Sequence, residues 1–343
     1  MTNPDDPGPE LLDRLFERLM IDEPWAVRED RSFTWWAHRL AQHVVADPPV
    51  DLGGVPSCTI RIRTEVVRDV GDVGNGGEPV DPLEVVAGLN ARPTLNAVVW
   101  DPDERRIDTC CTAVVHAGSV GWATDVLATA ALLANADAQL GAENLAEAVG
   151  GVPADSAHPT SGERPTPDST LQIPALVIAR EGLQPSRFAG ELLHRAGQFL
   201  PRLGLLGFAE DEGLTCEVPF TGTRPVAEVM LTGEPPETSL VQVTTRATHP
   251  VFGHGAQLAV RLPVGPDPDD AAEVANDLNL LEATQDFYTT LLGAWAPDPA
   301  GAGSFGFSLF VPNLLARGGL LENLIIHQSV RSQFAAHLLL DGG

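Results

Sequence analysis

The chain has 343 residues, of which 43% are hydrophobic and 20% charged, and it carries a formal net charge of -26. The length suits about two globular domains, and each half is long enough to bury a core of its own. All 21 basic residues are arginine, which excludes a Schiff-base lysine and pyridoxal phosphate chemistry, a P-loop lysine and a kinase strand lysine.

The negative charge is spread along the chain: 11 Arg stand against 25 Asp and Glu before Gly151, and 10 against 22 after it. Such a surface repels phosphate backbones and anionic headgroups, so neither nucleic acid nor a membrane is an expected partner. No run of about 18 apolar residues is present, and the acidic, Pro-rich start lacks the pattern of a signal peptide. The expectation is a cytoplasmic protein.

In chain order, residues 1–9 read as a disordered tail and 10–149 as a first α+β unit. Leu11, Leu12, Leu15, Phe16 and Leu19 recur at helix spacing. Ser32 looks like the cap of a second helix with Trp35, Trp36, Leu40, Val44 and Val45 on its apolar side. Cys58 to Val67 alternates as a half-buried strand. Asp81-Pro82 opens a helix running to about Ala91. Leu95 to Trp100 and Ile107 to Val115 flank a polar turn and read as a hairpin. Trp122 to Leu140 is an Ala- and Leu-rich helix. Residues 150–170, with Pro153, Pro159, Pro165 and Pro167, read as an interdomain linker.

Residues 171–343 form the second expected α+β unit. Pro185-Ser186 leads a helix, and Leu214 to Phe220, Ser239 to Thr248 and Gln257 to Pro263 read as strands. Asp269-Asp270 caps a helix at its positive end. Two strands follow, Phe287 to Trp295 and Ser304 to Pro312, and a helix from Leu320 to Leu340 closes the chain. Four local patterns recur in the same order in both halves. Trp36-Ala37-x-x-Leu40 parallels Phe188-Ala189-x-x-Leu192, and Ile60-x-Ile62-x-Thr64 parallels Val241-x-Val243-x-Thr245. Glu84-Val85-x-x-x-Leu89-Asn90 parallels Glu273-Val274-x-x-x-Leu278-Asn279. The closing hairpin and helix are the fourth pair. The expected fold class is therefore α+β, with two similar antiparallel-sheet-plus-helix units of α-β-β-β-α-β-β-α type in tandem.

Glu273-Val274-x-x-x-Leu278-Asn279, the strands Tyr288 to Trp295 and Phe305 to Pro312, and the helix from Leu320 together resemble the type III secretion chaperone-like fold, including the YbjN family. That resemblance implies small modules that pair, bind a protein segment or partner domain, use no cofactor and have no active-site residues. It implies an unidentified protein partner, a pseudo-dimer within the chain, and homodimerisation as a further option.

Chemistry-bearing candidates are few. Ala117-Gly118-Ser119-Val120-Gly121 resembles a nucleophile elbow with Ala in the first Gly position, which would need His194 or His254 as base. Its other reading is a strand-to-helix turn with Ser119 as cap. His249 and His254 flank Pro250 and lack a third ligand. Asp101, Asp103, Glu104 and Asp108 do not have the EF-hand spacing, and Arg105 and Arg106 neutralise the turn. Gly71 to Gly77 lacks the dinucleotide-binding pattern. Cys58, Cys110, Cys111 and Cys216 are not in C-x-x-C spacing and read as buried small residues. The expectation is no catalytic, metal or cofactor residue. Trp35, Trp36, Phe305, Phe307 and Phe310 are the aromatic candidates for a partner-binding face, should they be exposed. Two alternatives accompany the binding-module reading: a serine hydrolase using Ser119, and a structural or regulatory subunit of a larger complex.

Overall fold

The computed structural model describes residues 6–71, 80–221, 237–285, 290–297 and 305–341. The polar loop around Gly74 and the start of the strand expected from Phe287 lie outside them. The helices are α1 (Gly8–Arg18), α2 (Pro82–Asn90), α3 (Val120–Val149), α4 (Glu191–Phe199), α5 (Ala271–Thr284) and α6 (Leu320–Asp341). The first sheet contains β1 (Ala26–Glu29), β2 (Ser32–Trp36), β3 (Ala41–Ala46), β4 (Val50–Asp51), β5 (Pro56–Arg68), β6 (Ala97–Asp101), β7 (Arg106–His116) and β8 (Val152–Pro153). The second contains β9 (Leu206–Ala209), β10 (Gly213–Pro219), β11 (Thr238–Thr244), β12 (Gly255–Arg261), β13 (Ala294–Pro297) and β14 (Phe305–Pro312).

The two sheets share one strand order. The first runs β1-β2-β3-β5-β7-β6, with β4 and β8 paired to β5. The second, read from its other end, runs β9-β10-β11-β12-β14-β13. In both, a helix precedes the first strand, a second helix joins the fourth member of the row to the hairpin, and a long helix closes the set. The α+β class expected from the sequence is what the chain adopts, with one more strand in each row than the expected pattern and, in the first sheet, β4 and β8 besides. The first copy has its full row.

Local chemistry explains most of these elements. The Asp81 carboxylate accepts from Leu83 N at 2.9 Å, and Pro82 occupies the first helical position of α2. Asp and Pro are well suited to these places, because one satisfies an orphan donor and the other has none to lose. α3 lies along the first sheet on small residues, Ala123, Ala130, Ala131, Ala134, Ala138, Ala142 and Ala146, all buried. It ends where Gly150 turns left-handed at φ 65°, a conformation that costs glycine little. A core of Val66, Val67, Val86, Ile107, Ala138, Ala142 and Val149 fills the space beneath.

Three sequence expectations are corrected. Residues 32–46 form the β2–β3 hairpin and not a helix. Trp35, Trp36, Leu40 and Val44 fit a helical period, but Phe33 and Trp35 alternate with Ser32 and Thr34, and the register sets Trp35 against Gln42 and Phe33 against Val44. Aromatic and β-branched residues favour that pleated surface. The Trp36 and Phe188 patterns are therefore not equivalent, and neither are β5 and β11, which occupy different places in their rows. The helix pair and the closing hairpin-and-helix pair do correspond.

The third correction concerns boundaries. One compact unit comprises residues 1–177 together with 272–294, the other 178–271 with 295–343. Residues 150–170 are thus not a spacer. β8 pairs with β5, and His158, Asp168 and Thr170 are buried. Most of α5, expected in the second unit, belongs with the first. The Asn276 carboxamide brackets Trp100, accepting from its N–H at 2.8 Å and donating to its carbonyl at 2.9 Å. Asn90 does the same to Val98 two residues away, at 2.8 and 2.7 Å. Each side-chain amide stands in for a neighbouring strand's peptide group along the edge strand β6, so this edge is closed. Further along, Arg61 donates to the carbonyls of Ala283 and Gln285. The segment thereby crosses β7, whose outward residues Asp108, Cys110 and Thr112 are buried.

Candidate functional site

The residues singled out from the sequence fall into structural roles. Ser119 is 3% exposed. Its hydroxyl donates to the His116 carbonyl at 3.0 Å and accepts from the His116 N–H at 2.9 Å. It precedes α3 without capping it through its side chain, and both its hydrogen-bonding capacities serve the turn. His194 lies half exposed, with Asp211 3.9 Å away. The His249 Nδ1 accepts from the N–H groups of Val251 and Phe252, and its ring packs on Phe252 and Phe310 at 4.7 and 4.8 Å. It holds a loop in shape. Asp101 accepts from the N–H groups of Asp103 and Glu104, and Arg106 donates to Asp108 and Asp101. Among the described residues, no three His, Cys, Asp or Glu side chains are placed to hold a metal ion.

The four cysteines are unpaired and buried. Burial pushes the Cys58 thiol up to about 12 and that of Cys216 to about 11, and raises Cys110 and Cys111 as well. Nucleophilic thiol chemistry requires the thiolate, so these positions act as small core residues. The five aromatic candidates are core too: Trp35 0%, Trp36 7%, Phe305 3%, Phe307 1% and Phe310 2% exposed. Trp295 stacks on Phe305 at 5.6 Å and meets Phe307 edge-on at 5.5 Å. The buried Arg331 guanidinium lies over the Phe307 ring at 3.5 Å and donates to Gln328. None of the five meets the condition of exposure on which a partner-binding face depended.

The site that does present itself is the opposite edge of the second sheet, the four-residue strand β9. Leu206 is 74% exposed and Phe208 62%. Both point to the side of the sheet that carries Glu217 and Thr215, their register partners on β10. Gly207 and Ala209 face the helices. A Cβ on Gly207 would sit 2.7 Å from Leu200 Cδ1, and one on Gly197 of α4 would sit 2.6 Å from Ala209 Cβ. The small residues let α4 close one face of β9 tightly and leave the other face open.

The backbone of β9 is directional as well. The Glu210 N–H donates to the Gly213 carbonyl at 2.7 Å. Counting back by two along an antiparallel ladder, Phe208 and Leu206 turn their N–H and C=O groups toward β10. Those of Gly207 and Ala209 point away from the sheet. The open face continues inward as a shallow groove lined by Phe208, Thr215, Gln242, Ala259, Arg246 and Arg261. Carboxylates flank it: Glu217 beside Leu206, and Glu210, Asp211 and Glu212 in the turn beyond Phe208. Glu212 is paired to Arg246 at 2.7 Å.

Neither a family model, nor a curated protein, nor a solved structure matches this chain. No described helix is long and apolar enough to cross a membrane. Nothing in the sequence analysis pointed to β9. The signal available was its alternation, Leu206 and Phe208 large and apolar against Gly207 and Ala209 small.

Proposed function

We propose that the protein is a non-enzymatic binding module of the cytoplasm that captures an extended segment of a partner protein along the β9 edge. One observation carries the reading. A strand edge with outward-pointing backbone groups at Gly207 and Ala209 lies beside two exposed large apolar side chains, Leu206 and Phe208. An added strand would satisfy the backbone groups and cover the side chains, which is how strand-addition modules obtain both affinity and selectivity. Natural proteins blunt such edges with charge, proline or a covering element. The other sheet does so at β6 with Asn90 and Asn276, and β9 has no such device in its own sequence. The flanking carboxylates favour a cationic segment. Four unpaired cysteines fit a reducing compartment. The shared strand order of the two sheets supports a tandem of two like units. A hydrolase reading has no comparable support, since the Ser119 hydroxyl is committed to His116. A subunit of a larger complex would use the same edge.

A fluorescein-labelled peptide of alternating Val and Arg tests this reading. Its anisotropy should rise to saturation on titration with the full chain. The double variant Leu206→Ser/Phe208→Ser, altered only at exposed positions, should keep its fold and weaken binding by at least about tenfold, the effect of losing an interface anchor. Equal affinity in wild type and variant would dismiss the edge as the site.

A further inference from the structure

The open face of the second sheet carries one continuous row across four strands. Ala259 of β12 stands against Gln242 of β11, Gln242 against Thr215 of β10, and Thr215 against Phe208 of β9. The alternate residues Val260, Val241 and Cys216 are fully buried on the other face. Gln257 and Arg261 lie two residues either side of Ala259 on β12 and share its face. Together these residues line the groove described above, whose volume is about 350 Å³, that of a small ligand cleft. Among the described residues, no hydrogen bond or ion pair engages the side chains of Thr215, Gln242, Gln257 or Arg261. Four polar side chains thus surround one depression, floored by a small residue, with their hydrogen-bonding capacity unused.

The charges of the groove are sorted by end. Arg246 is committed to Glu212 at 2.7 Å. Glu210 stands at the β9 end, and Arg261, unpaired among the described residues, stands at the β12 end. No described residue of β14 lines the groove, so it opens at the sheet edge and stops at β12. A groove with one open end admits the end of a chain, whereas a passing segment needs an exit. We propose that this face binds the C-terminus of a peptide chain, its terminal carboxylate over Ala259 and held by the Arg261 guanidinium and the Gln242 and Gln257 carboxamides. The planar guanidinium matches the two oxygens of a carboxylate, and the amides donate to the lone pairs that remain. Against a net charge of -26, a singly charged group is a better guest than a phosphate dianion. From Ala259 to Phe208 is three strand spacings, about 14 Å, the length of four extended residues. The fourth residue from the chain end then lies on the Phe208 ring, 62% exposed, and is apolar. This assignment does not depend on capture of a strand along the β9 edge.

Calorimetric titration of the full protein tests this with acetyl-Leu-Ser-Ala-Val bearing a free carboxylate and with the same peptide amidated at its C-terminus. The free acid should bind saturably. Amidation of the peptide, or Arg261→Gln in the protein, should weaken binding at least about tenfold, the loss of one charge-assisted pair. Arg261 is exposed and unpaired, so the variant keeps its fold. Ala259→Leu, which fills the floor without altering charge, should abolish binding. An amidated Val–Arg peptide should bind Arg261→Gln as it binds the wild type, because the β9 edge is unaltered; its failure on the wild type would sink the edge reading alone. An acid peptide that does not bind, or that binds no better than its amide, overturns the proposal. So does binding indifferent to Arg261→Gln or to Ala259→Leu. Displacement of the peptide by inorganic phosphate at equal concentration would make this a site for any oxyanion and overturn it as well.

Discussion

Replacing Trp35 by alanine should lower the stability of the first unit by about 3–5 kcal/mol, as for a fully buried aromatic residue. Trp35 is 0% exposed, so the lost transfer energy and the cavity both count. A polar chain adds to the loss. The indole N–H donates to Gln42 at 2.9 Å, and Gln42 in turn donates to Thr64 and to the Ala131 carbonyl of α3. Removing the indole leaves the Gln42 carboxamide oxygen buried without its donor. Urea denaturation followed by circular dichroism should show the midpoint fall sharply. Peptide affinity at β9, measured where the protein remains folded, should not change. A selective loss of binding with stability intact would place Trp35 on a contact face and contradict its role in the core.

Asp108 makes the first unit's stability depend on pH. Its side chain is 7% exposed, and burial raises its carboxyl from 3.8 to about 6, with Arg63 and Arg106 opposing and Glu65 assisting. The folded state therefore holds the proton more tightly than the unfolded chain. Between about pH 4 and pH 6 the native protein binds more protons than the unfolded one, so stability falls as pH rises through that window. The favourable contribution is present in full below the unfolded value and gone above the folded one. The difference corresponds to roughly 3 kcal/mol. Asp108→Asn cannot ionise, and the slope across this window should flatten by about that amount. Absolute stability is a poorer readout, because Arg63 and Arg106 lose a counter-charge in the variant. An unchanged slope would show that Asp108 is solvated in the folded protein.

The sequence made some elements legible and hid others for physical reasons. α2 announces its start through Asp81 and Pro82, and β6–β7 through two apolar runs around a polar turn. The Leu-Asn pattern of α2 and α5 correctly pairs the two helices that occupy one place in the repeated order. Periodicity misled at residues 32–46, where a short hairpin of Trp, Val and Leu satisfies a helical spacing as well as a strand alternation. It was silent over residues 154–168, whose order comes from single contacts of His158 and Arg164 and not from a repeating apolar face. Composition alone reads such a segment as a linker. The destination of α5 was equally hidden, since its ties to the first sheet are single polar contacts, the Asn276 carboxamide on the Trp100 backbone and the Ala283 carbonyl on Arg61. Whether the aromatic clusters were core or contact face stayed open in the sequence because composition does not report burial. The edge at β9 is hidden in the sequence because four residues are too few to stand out.

The backbone of β9 gives the most direct test of edge capture. Residue-resolved amide hydrogen exchange, followed by NMR, should find the Phe208 amide protected in the free protein, because it faces β10, and the Gly207 and Ala209 amides exchanging fast. Saturation with the Val–Arg peptide should slow exchange at Gly207 and Ala209 and leave Phe208 as it was. Gly207 and Ala209 amides that exchange equally fast in the free and saturated protein would contradict the account.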